Sequence, residues 1–252
     1  MNLKNEKLVQ SDWEDLGTLD PMWAVLSEPQ KRYGQWNEKD FYATGNTFVQ
    51  AVLTEAEACT TSLERGSALD FGCGLGRLTF ALSEKFSNVT GVDVSTTMLE
   101  KADAYRQTNG IKNCKFVHNN EPSLSSFENN SFDFICTYIV LQHIPDKKQI
   151  EIYINEFVRI LKPGGLLFFQ IPTFLPMQNR LQLRRRVYDL FRKLGVPMKF
   201  LYTSLGLHPI HYNFLLPAQI QVALGGAKVL KVDKLVCTPS KVISSNYFVT
   251  KE

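Results

Sequence analysis

From Ser67 to Ile171, short β-forming runs alternate with helix-forming stretches, and the first run ends in Asp70-Phe71-Gly72-Cys73-Gly74-Leu75-Gly76. Nothing else in the chain narrows its fold as much. Strands separated by helices must pair through crossover connections, which gives a parallel sheet covered on both faces. Strands are expected at 67–71, 88–93, 114–118, 132–137, 166–171, 229–232 and 242–249, and helices at 77–85, 97–107 and 148–161. The last of these helices carries Ile150, Ile154, Phe157, Val158 and Leu161 in helical register. The expected fold class is therefore α/β: a doubly wound, seven-stranded, mostly parallel sheet with helices on both faces.

The 252 residues predict one domain in four parts. A segment over 1–62 contains Trp13, Trp23, Trp36 and a helical run from Phe41 to Ala58. A core follows at 63–172, then a helical insertion at 173–216 and C-terminal strands at 217–252. The insertion is too long for an ordinary connecting loop, so structure of its own is expected there. Within it Leu183, Val187, Leu190, Phe191 and Leu194 fall on one helical face, with most of the cations elsewhere. Between Arg180 and Lys199 seven Lys/Arg face the single Asp189, whereas the whole chain carries a formal charge of only +3. This basic amphipathic helix points to an anionic acceptor or an acidic membrane surface, or is simply a solvated face.

The small net charge does not imply a nucleic-acid partner. Cys59, Cys73, Cys114, Cys136 and Cys237 are odd in number and widely spread, which signals neither a disulfide framework nor a metal site. With no signal-peptide pattern and no apolar run long enough to span a bilayer, the expected location is cytoplasmic.

The glycine segment sits where the first strand gives way to a helix, the edge at which doubly wound sheets bind ligands. Glycine lets backbone approach a ligand closely, and the helix start offers unpaired N–H groups. The spacing is G-x-G-x-G, and Arg77 stands where the dinucleotide fingerprint G-x-G-x-x-G has its third glycine, which disfavours a dehydrogenase. Asp93, at the end of the second strand, lies where a carboxylate can accept both hydroxyls of a ribose. The alternative role of helix N-cap is better met by Ser95.

With these motifs, and with Asn130-Ser131-Phe132-Asp133-Phe134-Ile135, Leu141-Gln142-His143-Ile144 and Leu161-Lys162-Pro163-Gly164-Gly165 in that order, the chain resembles the Rossmann-like class I methyltransferase family over roughly 69–171. The resemblance implies S-adenosylmethionine as cofactor. It implies that Asp70 orients the methionine end, that Gly72, Gly74 and Gly76 form the loop beneath it, and that Asp93 and Val94 meet the ribose region. Met98 would pack near the adenine and Tyr138 flank the sulfonium. Where such families often place an Asp after the third strand, this chain reads His118-Asn119-Asn120-Glu121, leaving Asn120 or Glu121 as the adenine partner.

Methyl transfer needs alignment more than covalent help from the protein, but a hydroxyl acceptor also has to lose its proton. His143, just beyond the fourth strand, is the candidate base, with a structural loop histidine as the competing reading; His208 and His211 are weaker rivals. Lys31 to Trp36 and Phe41 to Gly45 suit a lid over the cofactor, although a helix packed on the sheet explains the second stretch as well. The expected reaction is methylation of a small-molecule or glycan acceptor, preferably at oxygen on a sugar hydroxyl or phenol. A nucleic-acid methyltransferase and a non-catalytic cofactor-binding protein are the alternatives. The first lacks its usual support, because Thr137-Tyr138-Ile139-Val140 is not an amine-methylating motif and no Pro-Cys pair is present.

Overall fold

A computed structural model describes residues 3–60, 63–238 and 240–252, with side chains described from residue 10 onward. In chain order the elements are α1 (Leu3–Leu19), α2 (Pro21–Val25), α3 (Glu38–Cys59), β1 (Ser67–Phe71), α4 (Arg77–Ser83), β2 (Asn88–Asp93), α5 (Thr96–Thr108), β3 (Cys114–His118), β4 (Phe132–Thr137), α6 (Lys147–Ile160), β5 (Leu161–Phe174), α7 (Met177–Leu181), α8 (Leu183–Lys193), α9 (Met198–Ser204), α10 (Pro217–Leu224), β6 (Lys228–Cys237) and β7 (Val242–Thr250). The expected boundary at residue 62 falls beside Thr61 and Ser62, outside the described residues.

The seven strands form one sheet in the order β3-β2-β1-β4-β5-β7-β6. The first five are parallel and β7 runs antiparallel to both its neighbours. Winding reverses between β1 and β4, which opens a crevice at the carboxyl ends of those strands.

Alternation along the central strands supplies both faces, since successive side chains of a strand point to opposite sides. Leu69, Ile135, Leu167 and Phe169 pack with Ile150, Ile154 and Phe157 of α6 and Ile220 of α10. Ala68, Phe134, Leu166 and Phe168 pack with Val49, Val52 and Leu53 of α3 and Leu78 and Leu82 of α4. Helix α3 approaches α4 so closely that a Cβ on Gly45 would lie 2.2 Å from the Arg77 carbonyl oxygen. Phe41 to Gly45 is thus a helix packed on the sheet layer, as the alternative reading had it, and the lid reading of this stretch is dropped.

Four sequence expectations shift. Within the N-terminal helical segment expected over 1–62, no helix is expected before Phe41, yet α1 forms there. The strand expected at 229–232 runs from Lys228 to Cys237, the helix expected at 77–85 ends at Ser83, and β5 begins at Leu161, with an irregular register between Phe132 and Phe134 of its partner.

A third cluster joins α1 and α2 to the helices after β5, through Leu16, Trp23, Tyr188, Leu201 and Tyr202. Here α8 is oriented against habit. Its buried residues are Arg185 and Tyr188, while Leu183, Val187, Leu190 and Leu194 are 42–71% exposed. Arg185 donates from Nη2 to Asp12 at 3.2 Å and from Nε to Asp189 at 3.0 Å.

Candidate active site

At the crevice lies a cavity of about 800 Å³, toward the upper end of the roughly 300–1,000 Å³ usual for ligand sites. Its floor is the turn between β1 and α4. Gly72 and Gly74 have φ of +75° and +52°, a conformation that side chains resist. Added Cβ atoms there would lie 2.4 Å from Val140 and Val25 respectively. Gly72 and Cys73 also donate backbone N–H to the Val92 carbonyl at 2.7 and 3.0 Å, fixing the loop to β2.

Asp70, Asp93, Val94, Met98, Asn120, Glu121, Tyr138 and His143 all line this one cavity. Gly76 does not. With φ +79° it is the N-cap of α4, and a Cβ there would meet the Phe80 ring at 2.7 Å, so its job is to turn the chain into the helix.

Asp93 accepts from Gly74 N–H at 2.7 Å and Ser95 N–H at 2.9 Å, one on each oxygen. The carboxylate keeps a further acceptor direction. The cap of α5 is Ser95, whose Oγ accepts from Met98 N–H at 3.2 Å. Asp70 is buried and accepts from Thr79 Oγ at 2.7 Å; burial pushes its carboxyl up to about 6, with Thr79 and Arg77 opposing. Cys73, also buried on the wall, has its thiol pushed well above the ordinary range by burial and by the charges of Asp93 and Asp70.

Arg77, 4% exposed, shares this wall, and its Nε has no protein partner. Nη1 reaches Thr44 Oγ at 3.3 Å. A buried guanidinium with so little satisfaction is costly unless a ligand completes it. The sequence reading noted Arg77 only as a missing glycine.

The wall beyond β4 carries the positive-φ residue Ile139, at +61°. A β-branched residue there is strained, and such strain clusters at working sites. Two residues on, the chain enters the 3₁₀ turn Leu141–His143. His143 Nδ1 lies 2.7 Å from the His211 carbonyl and so carries the proton it donates, which makes Nε2 the basic nitrogen, where it accepts from the Gln142 side-chain amide at 3.3 Å. The ring is flanked by Trp13 and Tyr212 at 5.7 and 5.5 Å. Burial lowers its pKa to about 4, against the opposing bond to His211, so the ring is neutral near pH 7. Neither His208 nor His211 lines the cavity.

The cover comes from elsewhere than expected. Gln10 and Trp13 of α1 and Ala24 and Val25 of α2 close the cavity, whereas Lys31 to Trp36 take no part. Glu14 holds α1 in place: it accepts from Thr96 and Thr97 N–H at 2.7 and 2.9 Å and from the Ser95 and Thr96 hydroxyls. Burial would raise its carboxyl, but the bonds from Thr97 and Thr96 prevail and hold it at about 2. It stands at the positive end of α5, where a carboxylate is favoured. Lys101 Nζ adds a bond to the Gly17 carbonyl at 2.6 Å.

Residues 69–169 match the family described as a methyltransferase domain. Among curated relatives, the demethylmenaquinone methyltransferase of Staphylococcus epidermidis is 34% identical over 143 residues, 55% of each chain. That of Staphylococcus aureus is 34% identical over 134 residues, 52% of each. The chain thus spans about half the length of the curated relatives it matches. Among solved structures, the magnesium protoporphyrin IX methyltransferase of Synechocystis with bound cofactor superposes with TM-score 0.63 at 17% identity, covering 99% of both chains. A methyltransferase from Clostridium acetobutylicum gives 0.56 at 17% identity, covering 83% of this chain and 91% of that one. These two show the fold.

Proposed function

We propose, since residues 69–169 match the methyltransferase-domain family, that the protein transfers a methyl group from S-adenosylmethionine to a small, ring-bearing acceptor with an ionisable hydroxyl. The observation that carries the cofactor assignment is the pair of opposite charges on one wall. Asp70 suits the ammonium and Arg77, with its unpartnered Nε, the carboxylate of an amino-acid moiety. Asp93, which keeps an acceptor direction beyond its backbone bonds from Gly74, Ser95 and Val94, suits vicinal ribose hydroxyls. Met98 is buried beside it and suits the adenine face, with Asn120 or Glu121 meeting its edge. The chain's own residues therefore fit the cofactor at both ends.

When bound, that cofactor supplies an electrophilic methyl on a sulfonium. The protein supplies alignment and a base. His143 Nε2 takes the hydroxyl proton as the acceptor's electron pair moves toward the methyl; Nδ1 stays hydrogen-bonded to His211 and fixes the ring. A ring neutral near pH 7 is in the form this step requires.

The acceptor side of the cavity favours an aromatic ring over a sugar. Trp13 lies against the His143 ring, and Val140, Ile144, Pro145 and Tyr153 line the same cavity beside the polar groups of Gln10, Asp146 and Gln149, a lining more apolar than a sugar calls for. A quinol is consistent with this, and the staphylococcal relatives are named demethylmenaquinone methyltransferases. The test is a panel of quinols, simple phenols and sugar hydroxyl compounds with radiolabelled cofactor, using wild type and His143→Gln. Transfer to phenolic compounds that fails in the variant supports the reading. Transfer to sugars alone refutes the acceptor class, and full activity of the variant refutes the base.

A further inference from the structure

We infer that α8 is a docking element for an anionic lipid surface. The helix turns its polar side inward: Arg185 is spent on Asp12 and Asp189, and Arg192 lies 3.3 Å from Asp15 of α1. Its outer side carries Leu183, Val187, Leu190 and Leu194, spaced to form one stripe along about 16 Å of helix. A surface helix normally buries such a stripe. In a bilayer interface the stripe sits at the boundary of headgroups and acyl chains while flanking cations meet the headgroups. The flanks fit. At 100° per residue Arg184 falls on one side of the stripe and Arg186 and Lys193 on the other, all exposed.

Those flanks also separate a membrane from a second copy of the chain. Two copies pairing by this face across a two-fold axis would bring like cations together around the apolar contact, which opposes association. An anionic surface complements both parts at once. Docking would also engage the cavity's cover, because the residue that pairs with Arg185 is Asp12 and its neighbour Trp13 lines the cavity. The surface stands independently of the reaction proposed above.

Sedimentation of the full chain with vesicles tests this, comparing phosphatidylcholine alone with vesicles containing about one third phosphatidylglycerol. Wild type should sediment with the anionic vesicles and far less with the neutral ones. Replacing Arg184, Arg186 and Lys193 together by Gln should lower partitioning by about a hundredfold, at roughly fivefold per cation. The separate pair Leu190→Gln and Leu194→Gln should also abolish binding, with S-adenosylhomocysteine affinity unchanged in both variants as the check on folding. Absence of wild-type binding overturns the proposal, as does binding that survives the triple replacement. A dimer in lipid-free sedimentation that the leucine variant dissolves overturns it in favour of a second copy.

Discussion

Replacing Arg77 by Met separates ligand recognition from fold stability. The guanidinium is buried, its charged form is disfavoured by that burial, and its one hydrogen bond among the described residues is the 3.3 Å contact to Thr44. Methionine fills similar space without the desolvation cost but also removes the positive charge that favours ionised Asp70, so these two effects offset and the ligand-free variant should stay close to wild type in stability. Affinity should fall. A charge-assisted bond contributes about 1.5–3 kcal/mol, so loss of the carboxylate partner should raise the Kd for S-adenosylhomocysteine by about 10–150-fold. Calorimetric titration with S-adenosylhomocysteine and with its decarboxylated analogue closes the cycle. Wild type should prefer the carboxylated ligand by a comparable factor, and Arg77→Met should bind the two nearly equally. If the variant keeps the full preference, Arg77 does not read the carboxylate, and the charge-pair argument for the cofactor fails.

Asp93→Ala should weaken S-adenosylmethionine and S-adenosylhomocysteine by about 1.5–3 kcal/mol in the same titration; unchanged affinity would remove it from the site. His143→Gln should slow transfer by about 10²–10⁴ with cofactor affinity nearly intact, measured by single turnover at saturating acceptor. Because the neutral ring is the base and burial lowers its pKa to about 4, the wild-type rate should fall only as pH drops toward that value. An acid limb centred near the ordinary 6.5 would contradict this. Glu14→Gln should cost about 0.5–2 kcal/mol in urea unfolding near neutral pH. Its carboxyl lies at about 2 when folded against a usual 4.5, so the difference from wild type should be full above 4.5 and vanish as pH falls to about 2.

The central sheet was legible because its signals are local. Each central strand announces itself as a short, mostly apolar β-forming run between helical stretches, and the glycine loop, Asp93 and Ser95 by their spacing from strand ends. The cavity's polar walls followed from those positions. α1 was not legible: its buried face includes Asp12, and its anchor is Glu14 on the start of a helix more than eighty residues away. A polar, charged segment reads as solvated until its partners are known. The same blindness hid Arg77, since only burial turns an arginine after a glycine loop into a ligand group. For α8 the periodicity was correct, but the side facing inward was decided by Asp12 and Asp15, which no local pattern reveals. Gly76 was read as part of the binding loop because spacing cannot distinguish a glycine that faces a ligand from one that faces Phe80.

The buried thiol of Cys73 bears on how such a protein survives its own reagent. An activated methyl donor alkylates thiolates readily, and the loop that would cradle it contains a cysteine on the cavity wall. Only the deprotonated sulfur is a competent nucleophile. Burial first, and then the charges of Asp93 and Asp70, push its pKa well above the ordinary range and keep that sulfur protonated. If the proposed reaction holds, burial together with the two carboxylates that suit the ends of the cofactor also silences a competing nucleophile on the cavity wall.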